Sequence, residues 1–254
     1  MSVAIAYAPP RDPVSKARRR LTQWRAARPA KLSFAAPVLS VCFDDFPVSA
    51  AVNGAAILEK HSARGTFYAA TGIMGSMSPS GRVFMPTDAR RLAADGHEVG
   101  CHTSSHEDCA RRSESDTLDD LAENYDAIAR IGCREPARTL AYPYGETTLR
   151  LKRALPAQFS CARGVLPGLN VGAVDLAQLR AYPLFGRGAM KRAHAALARA
   201  TASNAWMICF THDLSNKPSP YGTRADDLDA LLTAARAAGV EILPVAQALE
   251  RRLS

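Results

Sequence analysis

The regular alternation of strand-like and helix-like segments is the feature that most constrains how this chain can fold. From Val38 onward the chain contains eight apolar, strand-like runs, at residues 38–43, 65–70, 97–101, 138–142, 158–162, 178–184, 206–211 and 240–243. Helix-like stretches lie between many of them, at residues 49–62, 87–95, 114–131, 146–155, 189–202 and 225–238. Such alternation is typical of βαβ units and a mainly parallel sheet. Seven or eight repeats predict an α/β fold, namely a distorted (β/α) barrel of seven to eight mainly parallel strands.

The chain divides into a short basic extension and one larger unit. Its 254 residues, 47% of them hydrophobic, are sufficient for one sizeable core. We expect residues 37–254 to form the barrel and residues 1–36, rich in Arg, Ala and Pro, to precede it. Within that extension Leu21 and Trp24 are three positions apart among basic residues, which predicts a short amphipathic helix. This helix could cap the barrel, join two copies into a homodimer, or lie on an anionic membrane.

The basic balance of the chain does not by itself identify a partner. A formal net charge of +8 is compatible with binding to nucleic acid, anionic lipid or an acidic glycan. The arginines are not interleaved with aromatic residues, as a stacking platform for bases would require. We therefore expect no specific binding to nucleic acid.

The cysteines and the first residues of the chain bear on its location. None of the six cysteines belongs to a Cys-x-x-Cys pair, and several lie inside apolar runs: Cys42, Cys101, Cys109, Cys133, Cys161 and Cys209. This pattern indicates buried free thiols in a reducing compartment. The beginning of the sequence lacks the apolar core of an export signal, and no run reaches the ~18–20 apolar residues of a membrane span. These features predict a cytoplasmic protein, with peripheral contact at the inner membrane face as an option.

Polar side chains with catalytic chemistry follow several of the predicted strands. They are Asp44 and Asp45, His102 and His106, the segment 142–145, and His212 with Asp213. In a barrel of this kind the carboxyl ends of the strands meet on one face, where function gathers. Two imidazoles and a carboxylate suit a divalent metal such as zinc that keeps an open coordination position. A second carboxylate nearby could take a proton from water, so the set indicates a hydrolase.

Each of these motifs also has a structural interpretation when taken alone. A pair of histidines four residues apart is more often surface or core polarity than a metal site, and Asp44 and Asp45 could simply cap the following helix. Their joint occurrence at strand ends favours a functional site. For Cys101, beside His102, we prefer core packing to a role as a fourth metal ligand.

The motifs and their order resemble those of a known family. A Thr/Ser-Phe-Asp-Asp motif corresponds to residues 42–45, and a His-Ser/Thr-x-x-His motif to residues 102–106. An Arg-x-Pro-x-Gly motif is matched in part by residues 141–145, and an apolar run ending in His by residues 208–212. On these residues the chain resembles the polysaccharide deacetylases of carbohydrate esterase family 4, the NodB-homology domain. The resemblance covers about residues 37–250, and residues 43–47 are similar to the branch that includes the holdfast polysaccharide deacetylase of stalked bacteria.

The resemblance implies a role for each matched position. Asp45, His102 and His106 would hold one divalent metal ion, usually zinc and sometimes cobalt or nickel. Asp44 would be the general base that takes a proton from the attacking water. The backbone N–H of Tyr144 would complete the oxyanion site, and His212 would protonate the leaving amine.

The sequence departs from the family pattern at two places, and in each a functional role lacks its usual residue. Ala141 stands where the family has the arginine that orients the base, and we expect Arg180 to reach Asp44 from another strand instead. The family's Asp-x-x-Trp motif, which tunes the catalytic histidine, is absent; Asp175 is the nearest acidic residue but lacks the Trp. Asp213 adjoins His212, but it points away if the strand continues.

These observations together predict a metal-dependent N-deacetylase of N-acetylated sugars in bacterial exopolysaccharide synthesis. The substrate would be an N-acetylglucosamine-type oligo- or polysaccharide, and a cytoplasmic enzyme would meet it as a precursor, such as a lipid-linked one. Two alternatives stay open. The same fold could hydrolyse another C–N bond, in a cyclic amide or a peptide, or the protein could bind glycans without catalysis.

Overall fold

The computed structural model describes residues 10, 12–133 and 138–253. Its strands are β1 Pro29–Leu32, β2 Val38–Asp44, β3 Thr66–Ala69, β4 Met77–Ser78, β5 Gly81–Arg82, β6 Glu98–Cys101, β7 Thr139–Ala141, β8 Cys161–Arg163, β9 Gly172–Asp175, β10 Tyr182–Pro183, β11 Trp206–Thr211, β12 Leu214–Ser215, β13 Thr223–Arg224 and β14 Glu241–Ile242. Its α-helices are α1 Pro13–Trp24, α2 Ala55–Lys60, α3 Pro86–Ala94, α4 Glu114–Ile131, α5 Leu149–Ala154, α6 Ala189–Ala202, α7 Ala225–Ala237 and α8 Val245–Glu250. A π-helical turn at Ala50–Gly54 precedes α2, and 3₁₀ turns lie at Thr71–Ile73 and Pro143–Gly145.

The main sheet is a curled, wholly parallel half-barrel. Its strands run in the order β10-β11-β2-β3-β6-β7-β8, and β14 pairs with the first residues of β2. Arg163, the last residue of β8, forms a parallel bridge with Leu179, which lies shortly before β10. The sheet therefore curls until its two edges approach each other. The predicted α/β fold with seven to eight mainly parallel strands is confirmed.

The alternation of side chains along β2 decides which of them face the interior of the barrel. All seven residues of β2 are buried. Val38 and Cys42 belong to an inner apolar cluster, whereas Leu39 and Phe43 belong to an outer cluster between the sheet and the helices. Because successive side chains of a strand point to opposite faces, Asp44 shares the inner face with Val38 and Cys42. A carboxyl group is thus directed into the apolar interior at the carboxyl end of the strand.

Helices α2 to α7 cover the outer face of the sheet and lie at the predicted stretches, whereas α8 packs with the inner cluster. α4 begins at the N-cap Ser113, whose hydroxyl accepts a hydrogen bond from the Asp116 N–H, and ends at Gly132 in the left-handed region. Leu121 and Ile128 of this helix pack into the outer cluster. The six predicted helical stretches each contain a helix of the structure, because their apolar periodicity reflects one buried face.

The described part of the N-terminal extension packs on the barrel. β1 pairs antiparallel with β9, and the fully buried Lys152 ties the end of α1 to the barrel. Its Nζ donates to the carbonyl oxygens of Thr22 and Arg25 at 2.7 and 2.9 Å and lies 2.7 Å from the Asp175 carboxylate. Asp175 is therefore engaged in anchoring this segment. The division of the chain at residue 36 stays a prediction.

The structure bears on two further predictions, the state of the cysteines and the presence of membrane-spanning helices. The six cysteines are free and buried, as predicted. Among the helices within the described residues, none combines the length and apolarity that crossing a bilayer requires. The predicted cytoplasmic location stays a prediction.

Candidate active site

Two adjacent carboxyl groups lie at the carboxyl end of β2, in different surroundings. Asp44 is the last residue of the strand and is 4% exposed. Asp45 follows it with a φ of 53°, in the left-handed region that residues other than glycine seldom adopt. This turn of the backbone directs the Asp45 carboxylate toward the histidines that follow β6.

Asp44 is paired with a buried arginine from the far side of the barrel. Arg163, fully buried at the end of β8, donates a hydrogen bond from Nη2 to Asp44 Oδ1. Its guanidinium lies 5.0 Å from the ring centroid of Tyr68 and 4.8 Å from that of Phe210. Burial alone would raise the pKa of Asp44, but Arg163, with help from His102 and His212, holds it below its ordinary value. Asp44 is therefore a carboxylate at neutral pH.

The expectation that Arg180 reaches Asp44 is contradicted by this geometry. Arg180 is exposed, and its guanidinium donates to the carbonyl oxygen of Pro167 at 3.4 Å. Arg163 takes the position opposite Asp44 because β8 ends with its side chain directed into the barrel. A sequence signal for it existed, since Arg163 directly follows the predicted strand 158–162, just as Asp44 directly follows the predicted strand 38–43.

His102 and His106 approach Asp45 from the loop after β6. His102 Nδ1 donates to the carbonyl oxygen of Ala141 at 2.6 Å, which fixes the tautomer whose Nε2 carries the lone pair. That Nε2 lies 3.8 Å from Asp45 Oδ1, and His106 Nε2 lies 3.3 Å from the same oxygen. Ala141, which lacks the family's arginine side chain, thus contributes through its backbone.

The loop carrying the two histidines is held by α4. The Asp120 carboxylate accepts hydrogen bonds from the backbone N–H groups of Ser104 and Ser105 at 3.1 and 3.0 Å. Thr103, at φ 62°, accepts a hydrogen bond on its hydroxyl from the backbone N–H of His106 at 3.1 Å. These bonds stabilise a tight loop in which His106 itself has a φ of 55°.

The residues expected to bind a metal do fit one. Ligand atoms of Asp45, His102 and His106 all lie within 4.8 Å of one another. Asp45 Oδ1 is buried and has no hydrogen-bond partner, which is the state of an oxygen whose natural partner is a cation. Burial lowers the pKa of His102 to about 3 and that of His106 to about 4. Both imidazoles are therefore neutral at physiological pH, and each can offer a nitrogen lone pair to a metal ion. One carboxylate oxygen and two imidazole nitrogens suit zinc, cobalt or nickel.

Cys101 is not part of this group. Its sulfur lies 3.1 Å from the Asn124 side-chain nitrogen, and the residue belongs to the outer apolar cluster. The preference for core packing at this position agrees with the structure.

The two neighbouring carboxyls have opposite pKa shifts. Burial raises the pKa of Asp45 to about 7, because no cationic side chain is paired with it as Arg163 is paired with Asp44. A metal ion at the Asp45 carboxylate would supply the missing positive charge. The site thus separates a carboxylate suited to binding a cation from one suited to accepting a proton.

Tyr144 lies beside the histidines in a strained turn. Its φ is 58°, and its hydroxyl lies 3.3 Å from His106 Nδ1. Gly145 follows at φ 70°, where a Cβ atom would collide with Val165. The turn therefore requires glycine and presents the backbone of Tyr144 next to the expected metal ligands.

His212 follows β11 and is oriented by a backbone carbonyl. Its Nδ1 donates to the Tyr221 carbonyl oxygen at 3.2 Å, and its backbone N–H donates to the same oxygen at 3.2 Å. Both carboxyls at the end of β2 lie close enough to His212 for it to lower their pKa values. This contact leaves Nε2 as the ring nitrogen that can exchange a proton with a bound molecule.

Asp213 holds the loop that carries this carbonyl. The buried Asp213 carboxylate accepts hydrogen bonds from the backbone N–H, at 2.8 Å, and the hydroxyl of Ser219. The Ser219 hydroxyl in turn accepts from the Tyr221 N–H at 3.2 Å. A Cβ at Gly222 would collide with the Asp213 carboxylate, so the loop closes tightly over it. Asp213 therefore acts on His212 indirectly, through the loop that carries the Tyr221 carbonyl.

The fold of the chain is shared by several solved structures. A peptidoglycan deacetylase from Bacillus subtilis is 21% identical, with a TM-score of 0.54 over 85% of this chain and 92% of that one. A family 4 acetyl xylan esterase from Clostridium thermocellum, solved with a cobalt ion, is 19% identical, with a TM-score of 0.58 over 83% and 89%. The peptidoglycan N-acetylglucosamine deacetylase Bc1960 is 16% identical, with a TM-score of 0.58 over 87% and 92%. At these identities the likeness establishes the fold.

Sequence comparison establishes the family. No curated protein sequence matches the chain. The polysaccharide deacetylase family model matches residues 31–158, about half of the chain and the part that contains the two carboxyls, both metal-site histidines and Tyr144. The predicted resemblance is confirmed, and the narrower similarity to the holdfast branch stays a prediction. The chain therefore belongs to the polysaccharide deacetylase family, whose members are hydrolases of acetylated carbohydrates.

Proposed function

We propose that this protein is a metal-dependent N-deacetylase that releases acetate from N-acetylglucosamine-type sugars during bacterial exopolysaccharide synthesis. The observation that carries the proposal is the convergence of two differently charged carboxyls and three histidines on one face of the barrel. Asp44 is ionised through Arg163, whereas Asp45 has an unpartnered oxygen facing His102 and His106. This is the arrangement that hydrolysis of an unactivated amide needs.

Each functional side chain of the site has its own role in the proposed reaction. A zinc ion bound by Asp45, His102 and His106 would polarise the acetyl carbonyl and lower the pKa of water. Asp44 takes the proton of the attacking water as a general base, and the Tyr144 N–H stabilises the oxyanion. His212, held through Nδ1 by the Tyr221 carbonyl, protonates the departing amine from Nε2. The products are a free amino sugar and acetate.

The surroundings of His212 suit a sugar ring. Tyr221 is 47% exposed, and its ring centroid lies 5.8 Å from that of His212. The ring centroid of the half-buried Phe185 lies 5.6 Å from that of His212. An exposed aromatic side chain next to polar groups provides the mixed surface that a pyranose requires. Arg163 also supplies at Asp44 the guanidinium that the family pattern places at position 141.

We expect Asp44→Asn to abolish most turnover without affecting metal binding. Loss of a general base lowers kcat by about 10²–10⁴-fold, while the ligand set stays intact. The measurement is acetate release from β-linked N-acetylglucosamine oligomers by chelated and zinc-reloaded protein. Asp119→Asn, an exposed carboxyl on α4, is the matched control and should retain wild-type turnover. Zinc-independent release, or full activity of Asp44→Asn, would contradict the proposed function.

A second pair of variants distinguishes the roles of Arg163 and Arg180. Arg163→Met should lower kcat by about 100-fold at unchanged zinc content, since Asp44 loses the charge that keeps it ionised. Arg180→Met should behave as wild type, because its guanidinium contacts only an exposed loop. If Arg163→Met does not fold, Arg163→Lys keeps the buried charge and should retain part of the turnover. Wild-type turnover in Arg163→Met together with a large loss in Arg180→Met would refute the assignment of Arg163 as the partner of Asp44.

Asp213 is expected to act as a positioning residue for His212. Asp213→Ala releases Ser219 and with it the Tyr221 carbonyl that orients the imidazole, so kcat should fall about tenfold with a smaller change in KM. Asp213→Asn keeps an acceptor oxygen and should recover part of this loss. Asp226→Asn, on an exposed side chain beyond the loop, is the control. Equal kcat for Asp213→Ala and wild type would show that the loop does not orient His212.

A further inference from the structure

Helix α1 is attached to the barrel along one side. Besides the bonds from Lys152 to its last turn, Arg18 donates to the Ala110 carbonyl oxygen at 3.2 Å. Arg19 forms an ion pair with Glu146, whose side chain is only 11% exposed. The helix is therefore fixed in its orientation on the molecule.

The other side of α1 is an exposed apolar stripe. Val14, Leu21 and Trp24 are 76, 55 and 87% exposed, and Ala17 is exposed between them. The spacing of these four positions places them along one line of the helix. This stripe, Val14-Ala17-Leu21-Trp24, has no partner among the described residues.

Exposed basic side chains flank the stripe, and Asp12, the N-cap residue, is the acidic group within the helix segment. Lys16 and Arg20 are exposed beside it, and Arg25 follows at the end of the helix. Between residues 13 and 43 the sequence contains no Asp or Glu. An apolar line that includes a tryptophan, bordered by basic side chains, is the composition of helices that lie in the headgroup region of a bilayer.

The helix lies beside the rim of the active site. Ala110, which binds Arg18, is in the loop that carries His106, and Glu146, which binds Arg19, is two residues beyond Tyr144. These loops extend from the carboxyl ends of β6 and β7, where the expected metal ligands meet. The helix is therefore held beside loops that border the site.

We propose that α1 docks on an anionic lipid bilayer through this stripe, which would hold the loops bordering the active site near the membrane. A second copy of the chain is a poorer occupant, because a twofold pairing would bring the positive charges of Lys16 and Arg20 of both copies together. Anionic headgroups satisfy the basic flank, and the acyl region receives Leu21 and Trp24. What the docking implies about the substrate rests on the proposed function: the substrate would be an acetylated saccharide carried on a lipid.

The test is sedimentation of the purified full chain with vesicles of phosphatidylcholine alone and of phosphatidylcholine with phosphatidylglycerol. Binding should require the anionic lipid and decrease as salt is raised. Lys16→Gln/Arg20→Gln should weaken it at least about tenfold, given about fivefold for each basic residue near such a surface. Leu21→Ser/Trp24→Ser should abolish it. Arg130→Gln/Lys191→Gln removes two equally exposed charges elsewhere and should bind as wild type.

The outcomes separate this inference from the proposed function. Absence of binding to anionic vesicles, or equal loss with the control variant, would overturn the docking. A change from dimer to monomer in Leu21→Ser/Trp24→Ser without vesicle binding would assign the stripe to self-association and also overturn it. The stripe variants should still release acetate from soluble oligomers at the wild-type rate. Vesicle binding by a protein that releases no acetate would leave the docking in place and refute the deacetylase proposal.

Discussion

The buried ion pair of Arg163 and Asp44 is the interaction on which the functional face of the barrel depends. It joins the end of β8 to the end of β2 across the barrel interior, where the guanidinium lies against the rings of Tyr68 and Phe210. Removing one partner of such a pair typically destabilises a protein by about 3–5 kcal/mol, since the other charge is left uncompensated. The same contact keeps Asp44 ionised, so fold stability and proton transfer are coupled in one pair of side chains.

Strain is concentrated around this pair and is balanced by hydrogen bonds from outside the site. Asp45, Thr103, His106 and Tyr144 all have positive φ values, a conformation that costs about 1–3 kcal/mol for each such residue. Asp120 on α4 offsets part of this cost by fixing the histidine loop. A second acidic residue, Asp213, does the same for the loop that orients His212. Both supports lie in the helices and loops around the barrel, which explains how irregular backbone persists at the strand ends.

Much of the fold and part of the site follow from the sequence. Each of the eight apolar runs overlaps a strand, because buried parallel strands are nearly continuous in apolar residues. The β1–β9 pairing was not predicted, since these strands are short and largely exposed and leave no periodic signal. Asp45, His102 and His106 could be grouped because all follow strands. Arg163 could not be paired with Asp44 from the sequence alone, because that choice depends on how far the sheet curls, and spacing along the chain does not encode the curl.

The most direct test of the proposed metal site is the position of zinc in crystals of the zinc-loaded protein, located by anomalous scattering. We predict one strong site bonded to a carboxylate oxygen of Asp45 and to Nε2 of His102 and His106, at about 2.0–2.2 Å. Asp44 should stay outside the coordination sphere, paired with Arg163. Zinc bound at Cys101 or at Asp44, or no zinc between β2 and the loop after β6, would contradict this prediction.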